Sequence, residues 1–231
     1  MRDVLSAGLP ELGLDTALIP VLEEYARLLL ERNRVMNLTA ITEPKAVAAL
    51  HLLDSLALIP LAELRGGTLL DAGTGAGLPG LPLAAALPEL QAALLDSLNK
   101  RIEFLRETGQ ALRLQNITCV HARAEEYAAA HWEAFDWVVS RAVASLPVLA
   151  ELCLPLAKPG GHFLAMKSSH TEDEIHQAKR AIGLLGAKIA WVKDYRIPTT
   201  EITHRLICIE KIKAAPKQYP RRFAQIKKSP L

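Results

Sequence analysis

The sequence is poor in paired cysteine, in long apolar runs and, towards one end, in acid. Its three cysteines, Cys119, Cys153 and Cys208, are odd in number and widely spaced. They make neither a disulfide framework nor a zinc site, so no metal is expected, and they fit a reducing, cytoplasmic setting. No apolar run approaches the roughly 18 residues a membrane helix needs, so no membrane span is expected. Met1 to Pro10 carries both charges and a proline, unlike a secretory signal. No repeat of about 20–50 residues is visible, which excludes solenoids and propellers. From Lys211 to Leu231 there is no acid at all, against seven bases: Lys211, Lys213, Lys217, Arg221, Arg222, Lys227 and Lys228. Positions 1–210 then hold 20 basic and 25 acidic residues, a mildly acidic body with a basic tail. Such a tail meets a polyanion, is a solvated terminus or folds back on the acidic body.

What is present suits a globular protein: half of the 231 residues are apolar and 23% are charged. The length fits one large domain with an extension, and a sizeable core. The first third reads helical, with Leu18, Leu22, Tyr25, Leu29 and Leu30 at three- and four-residue steps up to about Asn33. Asn37-Leu38-Thr39 breaks the pattern. A second helix is predicted from Thr42, with Pro44 in its first turn, ending before Pro60.

From Gly66 short apolar runs alternate with helical periods. Predicted strands are 68–71, 92–96, 117–121, 135–139 and 162–167, with helices at 81–87, 100–114 and 145–157 and a break at Pro159-Gly160-Gly161. Thr171-Glu172-Asp173-Glu174 reads as a capping box opening a helix to Leu185. Lys188–Val192 and Arg205–Ile212 follow as an antiparallel strand pair. Repeated strand–helix alternation implies an α/β, doubly wound, mostly parallel sheet with an antiparallel edge pair. The expected organisation is a helical cap over 1–59, one α/β domain over 60–212 and a basic segment over 213–231.

Asp71-Ala72-Gly73-Thr74-Gly75-Ala76-Gly77-Leu78-Pro79-Gly80 follows the first strand and opens a helix, the context in which a glycine turn receives a nucleotide-type ligand. Asp96 ends the second strand, 25 residues after Asp71. It serves either as an acceptor for ribose hydroxyls or as a helix N-cap beside Lys100 and Arg101. The pattern suits a nicotinamide cofactor or S-adenosylmethionine. Asp71, placed to meet a methionine ammonium, and the terminal strand pair favour the latter, and no second domain is left for a hydride-accepting substrate. A non-catalytic RNA-binding module with a relic site is a further alternative, against which intact Asp71, Gly73, Gly75 and Asp96 speak.

A set of motifs stands in order along the chain: Asn37-Leu38-Thr39-Ala40-Ile41, His51-Leu52-Leu53-Asp54-Ser55-Leu56, the glycine turn with Leu78-Pro79-Gly80, and Leu95-Asp96-Ser97 before Lys100-Arg101. Arg123-Ala124-Glu125, Ser140-Arg141-Ala142, Tyr219-Pro220-Arg221-Arg222 and Lys228-Ser229-Pro230-Leu231 complete it. Together they resemble the bacterial small-subunit rRNA methyltransferase G family, also called glucose-inhibited division protein B, over nearly the whole chain. The resemblance implies a Rossmann-type fold, S-adenosyl-L-methionine as cofactor, and methyl transfer to N7 of guanine 527 in 16S rRNA, alone or within a small-subunit particle. No protein partner is expected. It implies cofactor contacts at Gly73, Leu78, Ala124, Glu125 and Arg141, to which Asp71, Gly75 and Asp96 are added on physical grounds. Glu125 could accept from an exocyclic amine or simply start a helix in solvent.

Guanine N7 has an in-plane lone pair and loses no proton, so alignment matters more than a general base, and no catalytic base is expected. The fourth strand lacks the Asn/Asp-Pro-Pro-aromatic signature of amine methylation. No cysteine follows a proline there, and Cys153 reads as core. Arg141 shapes the cofactor pocket, binds phosphate or pairs with a local acid. His51 and Asp54 share a helix face near the substrate, although a buried structural histidine is an equal reading for His51. Lys167, Arg221 and Arg222 are candidates for rRNA contact. Trp132 and Trp191 could stack a base, whereas Trp137 is expected in the core.

Overall fold

A computed structural model describes residues 1–141 and 144–231. Ala142, which closes the Ser140-Arg141-Ala142 motif, lies outside the described residues.

The N-terminal third is helical: α1 (Arg2–Glu11), α2 (Ile19–Met36), then α3 (Pro44–Val47), a π-helical stretch at Ala48–Leu53, α4 (Asp54–Leu56) and α5 (Leu58–Ala62). Asn37 ends α2 in a left-handed conformation, φ 46°. The Asn33 side chain holds the break: its Oδ1 accepts from Leu38 N at 2.6 Å and Thr39 N at 2.9 Å. Glu43 caps α3 by accepting from Ala46 N at 2.7 Å, and Pro44 sits where an N–H is superfluous. The helical run continues through Pro60, past the predicted stop.

This run also corrects the reading of hydropathy. Pro44–Ala62 is 19 residues with mean hydropathy 1.5, long and apolar enough by composition to cross a bilayer. Lys45, His51 and Asp54 interrupt the apolar residues without lowering the average enough. Within the fold, Val47, Leu52, Leu53, Leu56 and Leu58 are wholly buried, in one core with Leu5 and Leu9 of α1 and Leu22 and Leu29 of α2.

The rest is a seven-stranded sheet. In chain order come β1 (Gly67–Ala72), α6 (Gly80–Ala86), β2 (Leu90–Asp96), α7 (Asn99–Ala111), β3 (Ile117–His121), α8 (Ala124–Tyr127) and β4 (Phe135–Arg141). Then follow α9 (Leu146–Cys153), β5 (Ala157–Ser168), α10 (Glu172–Leu184), β6 (Ala187–Arg196), β7 (Thr203–Lys211) and α11 (Phe223–Lys228). The spatial order is β3-β2-β1-β4-β5-β7-β6, and β7 alone runs antiparallel to the other six strands. The terminal antiparallel pair is therefore present, with the later strand inserted inside the earlier one.

Side-chain alternation explains why these strands read as unbroken apolar runs. Leu69, Val139 and Leu164 face the core shared with the N-terminal helices, α6 and α7, whereas Leu70, Val138, Phe163 and Ala165 face the core under α9 and α10. A sheet covered on both faces needs apolar residues at every step.

Two local expectations fail. Pro159-Gly160-Gly161 lies within β5, where the β4–β5 register shifts between Phe135 and Trp137 and Gly160 takes φ 84°; a bulge tolerates residues that a regular strand excludes. The capping box does not close either. Thr171 precedes α10 with no side-chain cap, and its Oγ1 is buried without a partner. Glu174 turns away to accept from Leu146 N and to pair with Lys167, both at 2.7 Å.

Candidate active site

In sheets of this kind the strand order reverses at one point, here between β1 and β4, and ligands gather at the carboxyl ends of the strands there. The glycine turn after β1 lies at that place. Gly73, Gly75 and Gly77 all take positive φ, of 74°, 60° and 102°, a region that side chains strain to enter. Tyr25 of α2, wholly buried, donates its hydroxyl to Ala76 O at 2.8 Å, so the N-terminal helices brace the turn. The sequence showed Tyr25 only as part of an apolar stripe; the clue was that a buried phenol must find a partner.

Two hollows meet at Gly73. The narrower, of about 160 Å³, is bounded by Ala72, Leu95 and Asp96 on one side, Ala124 and Glu125 on another, and Leu149 and Leu152 of α9. The wider, of about 840 Å³, is bounded by Gly75, Leu78, His51, Asp54, Arg141 and Lys167. The expected cofactor residues are thus divided: Asp96, Ala124 and Glu125 on the narrow side, Gly75, Leu78 and Arg141 on the wide side, and Gly73 on both.

Asp71 lines neither hollow, which corrects its expected contact with a ligand. It is wholly buried beneath the turn, where Oδ2 accepts from Thr74 Oγ1 at 2.7 Å and Gly80 N at 2.8 Å. Its Oδ1 has no partner, and burial pushes the carboxyl up to about 6. It holds the turn by tying the Thr74 side chain and the Gly80 backbone to one carboxylate oxygen.

Asp96 ties the glycine turn to the entry of α7 but is not that helix's N-cap, which is Leu98. Oδ1 accepts from Leu98 N at 2.9 Å at the entry to α7, and Oδ2 accepts from Gly75 N at 3.0 Å and Arg101 Nη1 at 3.1 Å. A carboxylate offers about four lone-pair sites, so acceptor capacity remains at the hollow's edge.

On the wide side a polar cluster surrounds Asp54, which is 1% exposed. Its Oδ1 accepts from Tyr195 Oη at 2.8 Å and His204 Nδ1 at 3.0 Å, and its Oδ2 faces Arg141 Nη1 at 3.4 Å. Arg141 also donates to Leu50 O at 3.2 Å and lies 3.4 Å from His51 Nδ1. His51 Nε2 meets Thr39 Oγ1 at 2.7 Å, which ties the helix break at Asn37-Leu38-Thr39 to the site. Burial, and then the nearby guanidinium, push His51 down to about 4. Tyr195 and His204 carried no local sequence signal; β6 and β7 bring them to Asp54 from roughly 140 residues away.

Lys167 edges the wider hollow but its charge is matched by Glu174, and it donates to Ala144 O at 2.8 Å. Arg221, a candidate for rRNA contact, forms a two-pronged pair with Glu151, a wholly buried residue of α9. A buried carboxylate demands such a partner. Arg222 is exposed. Lys211, counted in the basic tail, is itself wholly buried between Glu133 and Leu154 O. Trp137 is half-buried against the core, as is Trp191, which lies under Lys193 Nζ at 4.4 Å; Lys217 covers Trp132 at the same distance.

The sheet is that of a Rossmann-like fold. Among solved structures, TrmN from Thermus thermophilus superposes with a TM-score of 0.55 at 24% identity, over 68% of this chain and 48% of that one. The branched-chain polyamine synthase of Thermus thermophilus superposes at 0.58 and 21%, over 73% and 58%. The rRNA small subunit methyltransferase G (GidB) family model matches residues 18–203. The ribosomal RNA small subunit methyltransferases G of Lachnoclostridium phytofermentans and Alkaliphilus metalliredigens are 48% and 46% identical, covering 100% and 99% of this chain and 98% of each relative. The chain belongs to the rRNA small subunit methyltransferase G family, and is an S-adenosylmethionine-dependent rRNA methyltransferase.

Proposed function

We propose that the protein methylates N7 of a guanine in 16S rRNA, at position 527, by direct in-line transfer with no side-chain base. The observation that carries the reading is the pair of hollows joined at Gly73. The narrower takes the adenosine, with Asp96 accepting from ribose and Glu125 and the Ala124 backbone at the adenine edge. The wider takes the methionine end and the target base. Bound across the two, S-adenosylmethionine supplies an electrophilic methyl group.

The residues then position rather than transfer protons. Gly73 lets the backbone approach closely at the junction. Arg141, held by Asp54 and Leu50 O, places a fixed positive charge beside the guanine's pocket. His51 is neutral, tied to Thr39, and walls that pocket. N7 carries its own lone pair, so aligning it with the methyl group is the principal task, and alignment is worth many orders of magnitude in rate. Lys167 and the exposed Arg222 are the candidates for phosphate contact.

The decisive test is methyl incorporation into 16S rRNA from a strain lacking this protein, offered as naked rRNA and as small-subunit particles, with the modified nucleotide mapped. Methyl at N7 of guanine 527 supports the proposal; methyl on another atom or base overturns it. Calorimetry with S-adenosylmethionine tests the cofactor site. Gly73→Val and Asp96→Ala are each expected to weaken binding by about 1–3 kcal/mol, the scale of a lost charged hydrogen bond. Unchanged affinity in both folded variants refutes the placement.

A further inference from the structure

The C-terminal segment reaches the narrower hollow. Phe223, the first residue of α11, lines it beside Leu149, Leu152 and Cys153 of α9, and is the one aromatic residue among the described residues that do so. Two anchors hold it there. Ile226, one turn further along α11, is wholly buried in the core that contains α9. On the other side, two residues before Phe223, Arg221 engages Glu151. Its backbone N and Nε donate to Oε1 at 2.9 and 2.8 Å, and Nη2 donates to Oε2 at 2.6 Å. Arg221 Nη2 also donates to Ser229 O at 3.0 Å, just past the end of α11. Glu151 belongs to the same helix that supplies Leu149 and Leu152, so the ion pair fastens both walls of the hollow to each other.

An ion pair of this geometry is expensive to desolvate and fixes one arrangement when it forms. What it fixes here is an aromatic ring at the rim of a small, mainly apolar cavity. Flat aromatic surfaces suit a purine base, whose faces are apolar and whose edges are polar. We infer that Phe223 is a wall of the adenine subsite, so that the basic segment takes part in cofactor recognition, with Arg221 and Glu151 as positioning residues. The inference rests on the reading that the narrower hollow receives the adenosine.

The full-length protein is titrated by calorimetry with S-adenosylhomocysteine and with 5'-methylthioadenosine, which keeps the adenosine and lacks the amino-acid end. Phe223→Ala is expected to bind both roughly tenfold more weakly or worse, the size of a lost base–aromatic contact. Phe223→Tyr recovers most of that loss, which a merely structural role does not predict. Affinity for 16S rRNA changes less than twofold. Arg221→Ala leaves a buried carboxylate unpaired and can unfold the protein, so the companion variant replaces both partners, Glu151→Leu with Arg221→Leu. It is expected to fold and to bind both ligands more weakly. Wild-type affinity in folded Phe223→Ala overturns the inference, as does a variant that loses rRNA and keeps cofactor. If Asp96→Ala also retains wild-type affinity, the adenosine lies elsewhere and the site reading itself fails. If Asp96→Ala weakens binding and Phe223→Ala does not, only the assignment of the tail fails.

Discussion

A carboxylate sealed under a tight turn has a pH signature. Asp71 is raised by burial from its ordinary 3.8 to about 6. Between about pH 4 and 6 the folded state then binds more protons than the unfolded chain, so this group's contribution to stability falls as pH rises through that window. The shift corresponds to about 3 kcal/mol. Asp71→Asn keeps an oxygen for Thr74 and Gly80 and removes the ionisation. In urea denaturation its stability relative to wild type should climb from pH 4 to pH 7; a constant difference across that range refutes the burial penalty. His51 works in the opposite sense. Its value falls from 6.5 to about 4, so it adds stability at neutral pH that is lost as acid drives it through the folded value. The two slopes partly cancel in the wild type, so the variant comparison is needed. Neutral His51 also bears on catalysis: single-turnover methyl transfer with saturating rRNA should be nearly flat from mildly acidic to mildly basic pH. A steep limb that vanishes in His51→Ala would establish a base. At this scale the sequence located residue types well and their partners poorly. Asp71, Asp96 and Arg141 were singled out by position after a strand. That Asp71 is consumed by Thr74 and Gly80, and that Arg221 belongs to Glu151, depended on contacts that periodicity does not encode.

Among elements, the strands were the most legible, because burial on both faces demands continuous apolar runs. Helix ends were less so. The capping box at Thr171 was a sound local pattern, outbid by Leu146 N and Lys167 for Glu174. The π-helical stretch at Ala48–Leu53 had no signature at all, yet π segments often occur at functional sites, and this one carries His51 into the wider hollow. The glycine turn was read correctly as an element and allows a sharper test. At Gly77, φ is 102° and an added Cβ would lie 2.7 Å from Leu105 Cδ2. Gly77→Ala is therefore expected to cost about 1–3 kcal/mol from backbone strain, read as a lower melting temperature. An unchanged melting temperature refutes it.

For the whole molecule, the distinction drawn in the sequence between an acidic body and a basic tail is only partly a spatial one. Lys211 and Arg221 are spent on internal acids, Glu133 and Glu151, and α11 packs on the body through Ile226. Arg222, Lys227 and Lys228 are exposed. If they meet rRNA phosphate, replacing all three with alanine lowers the log–log salt slope of rRNA binding by about 0.7–0.9 per lost contact, while cofactor affinity holds. A wild-type slope excludes these residues from the interface. Charge counting along a chain could not separate the two groups, since a buried lysine and a solvated one are the same letter.

The placement of β7 between β5 and β6 sets an order of events during synthesis. Among the described residues β6 pairs with β7 alone, and β5 has β7 as its outer neighbour. A growing chain that has emerged through Arg196 therefore carries a bare β5 edge and a β6 with nothing to join. At about 5–20 residues per second, the 43 residues from Ser168 to Lys211 take roughly 2–9 seconds to make. For that interval the nascent protein shows its neighbours on a polysome an open, apolar sheet edge, the kind that chaperones shield and that stalled translation leaves exposed.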